Sequence, residues 1–432
     1  MHVCRRWRRL VFGSPRCLGL QLYCTLETLA RNTLDVWPAL PLIIHGCFRY
    51  DYTTFTSGTD ELTAALGQSN RICGVNLSDL ADCQLEKVLA LMEVPFPELT
   101  VLRLSAGGRP IIVPDSFLGG SATRLQYFDL YGIPFPGLPN LLSSATHLVH
   151  LNLTFIPHSG YISPEAIVAL LSVLSSLRTL SLDFRSPKSR PDRESQSLLP
   201  PKHTLLPTLE LLEFGGVPEY LEELVTCVDT PRLFKMDITL HNQIDFDCPQ
   251  LVQFINRTPT LTRALDEAHV VFFYCTANLK FQSRKYGIAD LRIKITSLEP
   301  DWQLFSIEQV CSSSLLPISS VEDLYIESHS SYKDWKNDAT EGTLWLTVLL
   351  QFTAVKNLYI SHQIAPAICA PALQELIGAR ITDVLPSLQN IFVGKFKFDQ
   401  TGYRTFEENV GQFVAARQLS DHPVAISVWV DD

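Results

Sequence analysis

The chain has 432 residues, 46% of them apolar and 19% charged, and a formal net charge of −10. This composition predicts a globular protein, and the acidic balance argues against nucleic acid as the main partner. A membrane is not an expected partner either, because no apolar run approaches the ~18 residues that a spanning helix needs. The 11 cysteines include no CxxC pair, which disfavours a zinc site or a disulfide framework and favours a cytoplasmic or nuclear protein.

The first patterned segment is basic and lies at residues 3–10. A secretory signal would need an uninterrupted apolar stretch after its arginines, and Pro15 with Arg16 breaks that stretch. Two alternatives for this segment are a basic amphipathic helix that caps the solenoid and a mitochondrial presequence.

An apolar signature, LxxLxL, recurs every 23 to 34 residues between residues 72 and 393. A period in this range predicts a solenoid, and this signature is typical of leucine-rich repeats. Strand alternation places the last two apolar residues of each copy on one face and the residue between them on the other. Twelve copies begin at Ile72, Leu99, Leu125, Leu148, Leu177, Leu209, Leu233, Leu265, Ile288, Val321, Val355 and Leu388.

Segments with helical spacing lie between these strands. In the clearest one, residues 163–177, Ser163 is placed to cap the helix and Pro164 to open its first turn. Further helices are predicted at residues 85–92, 218–228, 249–256, 343–352, 370–384 and 403–418. Each unit reads strand, loop, helix. The predicted fold is therefore an α/β, irregular leucine-rich-repeat solenoid, a horseshoe with one curved, mainly parallel sheet and outer helices.

Residues 34–432 are assigned to this solenoid, and residues 1–33 to a preceding helix and linker. The end units of a solenoid need caps, because their cores are otherwise exposed. Residues 403–432 are predicted to form the C-terminal cap, with a helix followed by an apolar strand that contains Val424, Ile426, Val428 and Val430.

The residues between the second and third apolar positions are expected to form the exposed sheet face. They are Asn76, Arg103, Asp129, Asn152, Ser181, Glu213, Asp237, His269, Arg292, Tyr325, Tyr359 and Phe392. An unknown target protein is predicted to bind this face, because aromatic residues are enriched in binding hot spots and charges select their opposites. The predicted contacts are aromatic at Tyr325, Tyr359 and Phe392, basic at Arg103 and Arg292, and acidic at Asp129, Glu213 and Asp237. Strand propensity and solubility alone also favour such residues.

The N-terminal segment carries a family resemblance through Val3, Cys4, Arg5, Arg6, Trp7 and Leu10. These residues resemble the closing helix of an F-box. Residues 13–44 resemble the linker and first strand of the fungal F-box proteins with leucine-rich repeats. The resemblance implies a substrate-recognition adaptor of a Skp1–cullin–F-box ubiquitin ligase, with a Skp1-like partner. The Leu-Pro pair and the two helices that open a full F-box are absent, so most of the Skp1-binding surface is expected to be missing.

The missing half of the F-box favours a different interpretation, a ligase-independent scaffold for protein interactions. An enzyme is a more distant alternative, since the sequence contains no GxxxxGK, GxSxG or HExxH motif. No catalytic residue, cofactor or metal is therefore expected.

Overall fold

The computed structural model describes residues 5–6, 20–24, 30–37, 39–48, 57–185, 203–241, 248–261, 265–284, 290–296, 300–313, 318–329, 339–361, 364, 383–394 and 401–429. These residues belong to two compact units. Unit 1 consists of Met1–Glu213 with Cys227–Thr230, and unit 2 of Phe214–Thr226 with Pro231–Asp432. Within the described ranges, no helix combines the length and the apolar character needed to cross a bilayer.

Parallel strands that pair in chain order form the sheet of unit 1. They are β1 (Leu20–Tyr23), β2 (Leu42–Cys47), β3 (Ile72–Leu80), β4 (Val101–Ala106), β5 (Tyr127–Tyr131), β6 (His150–Ile156) and β7 (Thr179–Phe184). A short parallel pair is formed by β8 (Thr204–Leu205) and β10 (Val228–Asp229). The strand β9 (Leu211–Gly216) runs across the boundary between the units.

Helices and 3₁₀ turns follow these strands in unit 1. The helices are α1 (Ala30–Val36), α2 (Ser57–Leu66), α3 (Asp82–Leu91), α4 (Leu138–Leu142) and α5 (Pro164–Leu171). The 3₁₀ turns are Ser69–Arg71, Phe117–Gly120 and His158–Gly160.

The start of α5 shows how the sequence sets these elements. Ser163 Oγ accepts a hydrogen bond from the Ala166 backbone N–H at 3.2 Å, which confirms the predicted N-cap. The helix is shorter than predicted, however, and ends at Leu171. Residues 172–177 form turns, yet Leu174 and Leu177 remain fully buried, so the apolar spacing of this segment serves the core in both conformations.

Unit 2 alternates helices and strands in a similar way. Its helices are α6 (Pro218–Thr226), α7 (Pro249–Arg257), α8 (Pro300–Ser312), α9 (Ala339–Leu350) and α10 (Thr401–Leu419), with a 3₁₀ turn at Ile318–Ser320. Its strands are β11 (Lys235–His241), β12 (Glu267–Phe272), β13 (Thr276–Gln282), β14 (Asp290–Thr296), β15 (Asp323–Ser328), β16 (Asn357–Ile360), β17 (Asn390–Gly394) and β18 (Ala425–Trp429). Most of the helix predicted at residues 370–384 lies outside the described residues.

The strand order of unit 2 departs from the predicted succession of parallel units. The order is β11-β14-β13-β12-β15-β16-β17-β18, so β14 and not β12 lies next to β11. The strand β13 is antiparallel to both β12 and β14. A tight connection causes the reversal, because Phe273 N–H donates to the Thr276 carbonyl at 2.7 Å and turns the chain back as a hairpin. The expectation of a regular strand–loop–helix unit at residues 265–293 was therefore wrong.

The remaining pattern is that of a leucine-rich-repeat fold. The second and third apolar residues of all twelve signatures are buried, as in the pairs Leu102 with Leu104 and Leu324 with Ile326. Helices or turns connect most of the parallel strands, which confirms the predicted α/β solenoid class. At β18, Ile426 and Val428 align with the buried residues Ile391 and Val393 but are 46% and 71% exposed. The sequence predicts these two side chains as part of a cap that covers the core, and their exposure differs from that expectation.

Candidate functional site on the sheet face

The predicted sheet-face residues of unit 1 lie side by side across the strands. Strand register aligns them in the order Asn76, Arg103, Asp129, Asn152 and Ser181, on β3 to β7. Arg103 is exposed, Asp129 and Asn152 are half-buried, and Ser181 is buried. The alternation of the LxxLxL signature thus correctly placed this row on the strand face that alternates with the core residues, but Ser181 is buried and not exposed as predicted. Glu213, which lies on β9, is half-buried between Leu212 and Phe214.

A polar pair occupies the middle of the unit 1 row. Asn152 Nδ2 donates to Asp129 Oδ1 at 3.1 Å. Burial raises the pKa of Asp129, although the hydrogen bond from Asn152 and the charge of Arg103 both lower it. Burial and the charges of Arg103 and Arg178 lower the pKa of the neighbouring His150. A carboxylate that already accepts a hydrogen bond from an amide attracts a basic partner less strongly than a free carboxylate. Binding of a basic group of the target by Asp129 stays a prediction.

An exposed aromatic pair lies beside this row. Tyr131 and Phe155 are 39% and 45% exposed, and their ring centroids are 4.8 Å apart. Phe155 adopts a left-handed backbone with φ of 55°, which is costly for a residue with a side chain of this size. The pair lies where the register between β6 and β7 shifts, a local feature that no apolar repeat encodes.

In unit 2 the row is continuous across seven strands. Register aligns, in spatial order, Asp237, Arg292, Lys280, His269, Tyr325, Tyr359 and Phe392. Six of these residues were predicted. Lys280 was missed because it lies on β13, the strand that the repeat signature did not reveal. All seven are half-buried.

Four rings in this row stack face to face. The centroid distances are 4.4 Å from His269 to Tyr325, 4.1 Å from Tyr325 to Tyr359 and 4.5 Å from Tyr359 to Phe392. The interplanar angles are only 8°, 7° and 10°. Parallel strands in register hold equivalent side chains ~4.8 Å apart, which matches this stacking. We call these four residues the aromatic ladder.

Trp429 packs against the aromatic ladder from β18. Its ring centroid is 5.9 Å from Tyr325 and 5.6 Å from Tyr359, with interplanar angles of 64° and 71°. The register partner of Trp429 on β17 is Gly394. Because Gly394 has no side chain, the indole can lie across β17 and reach the rings of Tyr359 and Tyr325. Trp429 was not among the predicted contacts, although its alternation with Ile426 and Val428 places it on the opposite strand face.

Beside the aromatic ladder, two residues earlier on the same strands, lies a network of charged and amide groups. Arg284 donates to Asp323 Oδ2 at 2.5 Å, is 3.4 Å from Glu267 Oε2 and donates to the Tyr325 hydroxyl at 3.3 Å. The Asp323 side chain is only 3% exposed and that of Glu267 11%. Burial raises the pKa of Tyr325 to about 12, even though the hydrogen bond from Arg284 lowers it. Arg284 thus neutralises two buried carboxylates and fixes one ring of the ladder.

The network continues as a chain of amides. Asn357 Nδ2 donates to Asp323 Oδ1 at 2.6 Å, and Asn390 Nδ2 donates to Asn357 Oδ1 at 2.8 Å. The three residues are register neighbours on β15, β16 and β17. This chain of hydrogen bonds ties the same three strands that carry Tyr325, Tyr359 and Phe392.

His269 joins the aromatic ladder to Glu267 and to one further carboxylate, that of Glu327. Its Nε2 is 2.6 Å from Glu267 Oε1, and its Nδ1 is 3.6 Å from Glu327 Oε1. Burial lowers the pKa of His269, but hydrogen bonds and charges of Glu327 and Glu267 outweigh burial and raise it above 6.5. Folding therefore favours the imidazolium form of His269 relative to the unfolded chain.

This raised pKa makes stability depend on pH. A group whose pKa is higher in the folded state stabilises the fold fully below its unfolded pKa, here about 6.5. That contribution is lost as the pH rises through the folded-state pKa. We expect the urea midpoint to fall over this window, and His269→Gln to flatten the dependence. His147→Gln is the matched control, since His147 is exposed and lies in unit 1.

The charges at the other end of the unit 2 row are largely paired within the protein. Arg292 donates to Asp237 Oδ2 at 3.2 Å, and Lys280 Nζ is 3.7 Å from Asp290 Oδ2. Arg292 and Asp237 were each predicted to select an opposite charge on a partner. Arg292 and Asp237 neutralise each other, so each attracts an opposite charge on a partner less strongly than an unpaired residue would. Their contacts with a target stay a prediction.

Most of the N-terminal residues with the F-box resemblance lie outside the described part of the chain. Arg5 and Arg6 are helical and exposed, while Val3, Cys4, Trp7 and Leu10 fall outside the described residues. In the described residues, no group of three or more His, Cys, Asp or Glu side chains is arranged to hold a metal ion.

Comparisons with known proteins do not assign this chain to a family. No family model matches the chain, and no curated protein matches it either. Among solved structures, it is similar to the leucine-rich repeat-containing protein LegL7 from Legionella pneumophila, with 12% identity over 92% of this chain and 97% of that chain. The TM-score is 0.30, too low for an argument from superposition. The assignment to the leucine-rich-repeat class therefore rests on the chain's own signature and strand register.

Proposed function

We propose that this protein is an interaction scaffold that binds a segment of a target protein on the sheet face of unit 2. The observation that carries the proposal is the aromatic ladder with Trp429. Tyr and Trp are the residue types most enriched in binding hot spots. Here they form one half-buried strip on the face opposite the core.

The dimensions of the face favour an extended segment over a whole folded surface. Eight strands at ~4.8 Å spacing give a length of about 34 Å, and a strand of about five residues gives a width of ~15 Å. The product, about 500 Å², is below the ~800 Å² that each partner buries in a standard interface. An extended peptide of about ten residues spans ~33 Å and matches the length of the face.

The test uses the purified full chain and a display library of random peptides about twelve residues long. Peptides that enrich on the wild type are synthesised, and their Kd is measured by fluorescence anisotropy. Tyr359→Ala is expected to raise the Kd about 30-fold, as for a hot spot of about 2 kcal/mol. Tyr274→Ala is the matched control, because Tyr274 lies in the β12–β13 turn and is 74% exposed.

Loss of the ladder ring also affects folding, and the experiment separates the two effects. Removing Tyr359 deletes two stacked contacts, each worth about 0.5–1.5 kcal/mol. Binding is therefore measured at a temperature at which circular dichroism shows both variants folded. If the enriched peptides bind Tyr359→Ala as tightly as the wild type, the proposed function is contradicted.

A second candidate function is favoured by the resemblance of residues 3–10 to the closing helix of an F-box. In this proposal the same sheet face recruits a target to a Skp1–cullin–F-box ubiquitin ligase. Binding of purified Skp1 is measured by calorimetry with the chain as given, with Trp7→Ala and with a form extended by the upstream codons. Binding that Trp7→Ala abolishes would support the adaptor role, whereas no binding by either form would leave the scaffold alone.

A further inference from the structure

The sheet face of unit 2 has two chemically different halves. The aromatic half consists of Tyr325, Tyr359, Phe392 and Trp429 on β15 to β18. The charged half lies on β11, β14 and β13 and consists of Lys235, Asp237, Lys280, Asp290, Arg292 and Lys294. His269 on β12 lies between the halves.

The charged half carries more positive than negative charge. Arg292 pairs with Asp237, and Lys280 pairs with Asp290. Lys235 and Lys294 are half-buried on the same strand face, and neither forms an ion pair with another described residue. Four cations and two carboxylates leave a surplus of two positive charges, in a chain whose formal net charge is −10.

The aromatic half favours apolar groups over cations. A cation binds the face of an aromatic ring, where the quadrupole is negative. In the ladder the rings cover one another's faces, with interplanar angles of 7° and 10° at Tyr359. The ring edges that remain are the positive rim of the quadrupole and offer apolar contact.

We propose that the target segment presents an acidic side chain to the charged half and an apolar side chain to the aromatic half. The inference rests on the proposed function, because it specifies the ligand of the same face. The acidic group pairs with Lys294 on β14 and is further attracted by Lys235, which lies four residues earlier in the register of β11. The apolar group packs on the edges of Tyr325 and Tyr359 that Trp429 leaves open.

Strand geometry sets the distance between the two groups. From β14 to β15 there are three strand spacings, and from β14 to β16 there are four. At ~4.8 Å per strand these correspond to about 14 and 19 Å. An extended chain advances ~3.3 Å per residue, so the acidic and apolar residues lie about four to six positions apart.

The peptide selection described above also tests this specificity. Enriched peptides are expected to carry Asp or Glu about four to six positions from Leu, Ile, Phe or Trp. For such a peptide, Lys235→Glu combined with Lys294→Glu should raise the Kd at least tenfold, and raised salt should weaken wild-type binding. Lys87→Glu is the matched control, since Lys87 is exposed on α3 of unit 1, and it should change the Kd less than twofold.

A charge-swapped peptide provides the complementary measurement. Replacing the acidic residue of the peptide by Lys should restore binding to the variant that combines Lys235→Glu with Lys294→Glu. Peptides that depend on Tyr359 but lack an acidic residue at this spacing would overturn the inference and leave the proposed function intact. If no enriched peptide depends on Tyr359, both the inference and the proposed function fail.

Discussion

Replacing Arg284 by methionine should destabilise unit 2 by about 2–3 kcal/mol. The substitution keeps an unbranched apolar stem but leaves the carboxylate of Asp323 without its cation and that of Glu267 with His269 alone. Removal of one partner of a buried ion pair typically costs about 3–5 kcal/mol. The expected value is lower because the Arg284 side chain is itself 45% exposed and is partly screened by water.

The shift in the urea midpoint measures this effect, with Lys356→Met as the matched control. Lys356 pairs with Glu322 at 2.7 Å, but both side chains are close to half exposed. An exposed pair contributes at most about 1 kcal/mol, so the control midpoint should hardly move. Equal shifts for the two variants would show that Arg284 does not compensate buried charge.

A second substitution separates charge from packing at this position. Asp323→Asn removes one buried charge and keeps an oxygen that accepts from Asn357. If the cost of Arg284→Met is electrostatic, the double variant should recover part of the lost stability. A double variant whose loss is the simple sum of the two single losses would contradict coupling between Arg284 and Asp323.

The sequence predicts the register of this sheet because the signature contains its own alternation. Leu324 and Ile326 must face the core together, so Tyr325 must face away, whatever the neighbouring strand is. Repeated in each unit, this rule aligns Tyr325 with Tyr359 and Phe392. The sequence therefore predicts which residues occupy equivalent positions in the aromatic ladder. It does not predict the distances between their rings.

The network around Arg284 could not be predicted in the same way. Arg284 follows β13, and its partners Glu267 and Asp323 lie 17 and 39 positions away along the chain. They meet because the hairpin at residues 273–275 reverses the strand order. The alternation of Ala277, Leu279 and Phe281 marks β13 as a strand, but it does not say which neighbours that strand has. Contacts that depend on the order of strands in the sheet cannot be predicted from the local sequence pattern of each strand.

Two outer helices of unit 2 each carry an arginine that lies over a Phe ring of the same helix and donates to a neighbouring backbone carbonyl. On α7, Arg257 donates to the Val225 carbonyl at 2.5 Å and lies over the ring of Phe254. On α10, the buried Arg417 lies over the ring of Phe413. Its guanidinium donates to the carbonyls of Leu385 and Leu388, at 3.2 and 3.4 Å, just before β17.

Deleting residues 401–432 should therefore unfold unit 2 or make it aggregate. The deletion removes Val410, Phe413 and Arg417, which are at most 2% exposed. It also removes β18, the strand that pairs with β17. Loss of one buried Phe side chain alone costs about 3–5 kcal/mol, a large part of the 5–15 kcal/mol that holds a domain folded.

Point variants give the same test without a change in chain length. Phe413→Ala should lower the free energy of unfolding by about 3–5 kcal/mol, because Phe413 is 1% exposed. Phe273→Ala, at a ring that is 37% exposed in the β12–β13 turn, should cost much less. The deletion product is examined by size-exclusion chromatography and thermal unfolding. A soluble product with a cooperative transition would show that α10 and β18 do not complete the core of unit 2.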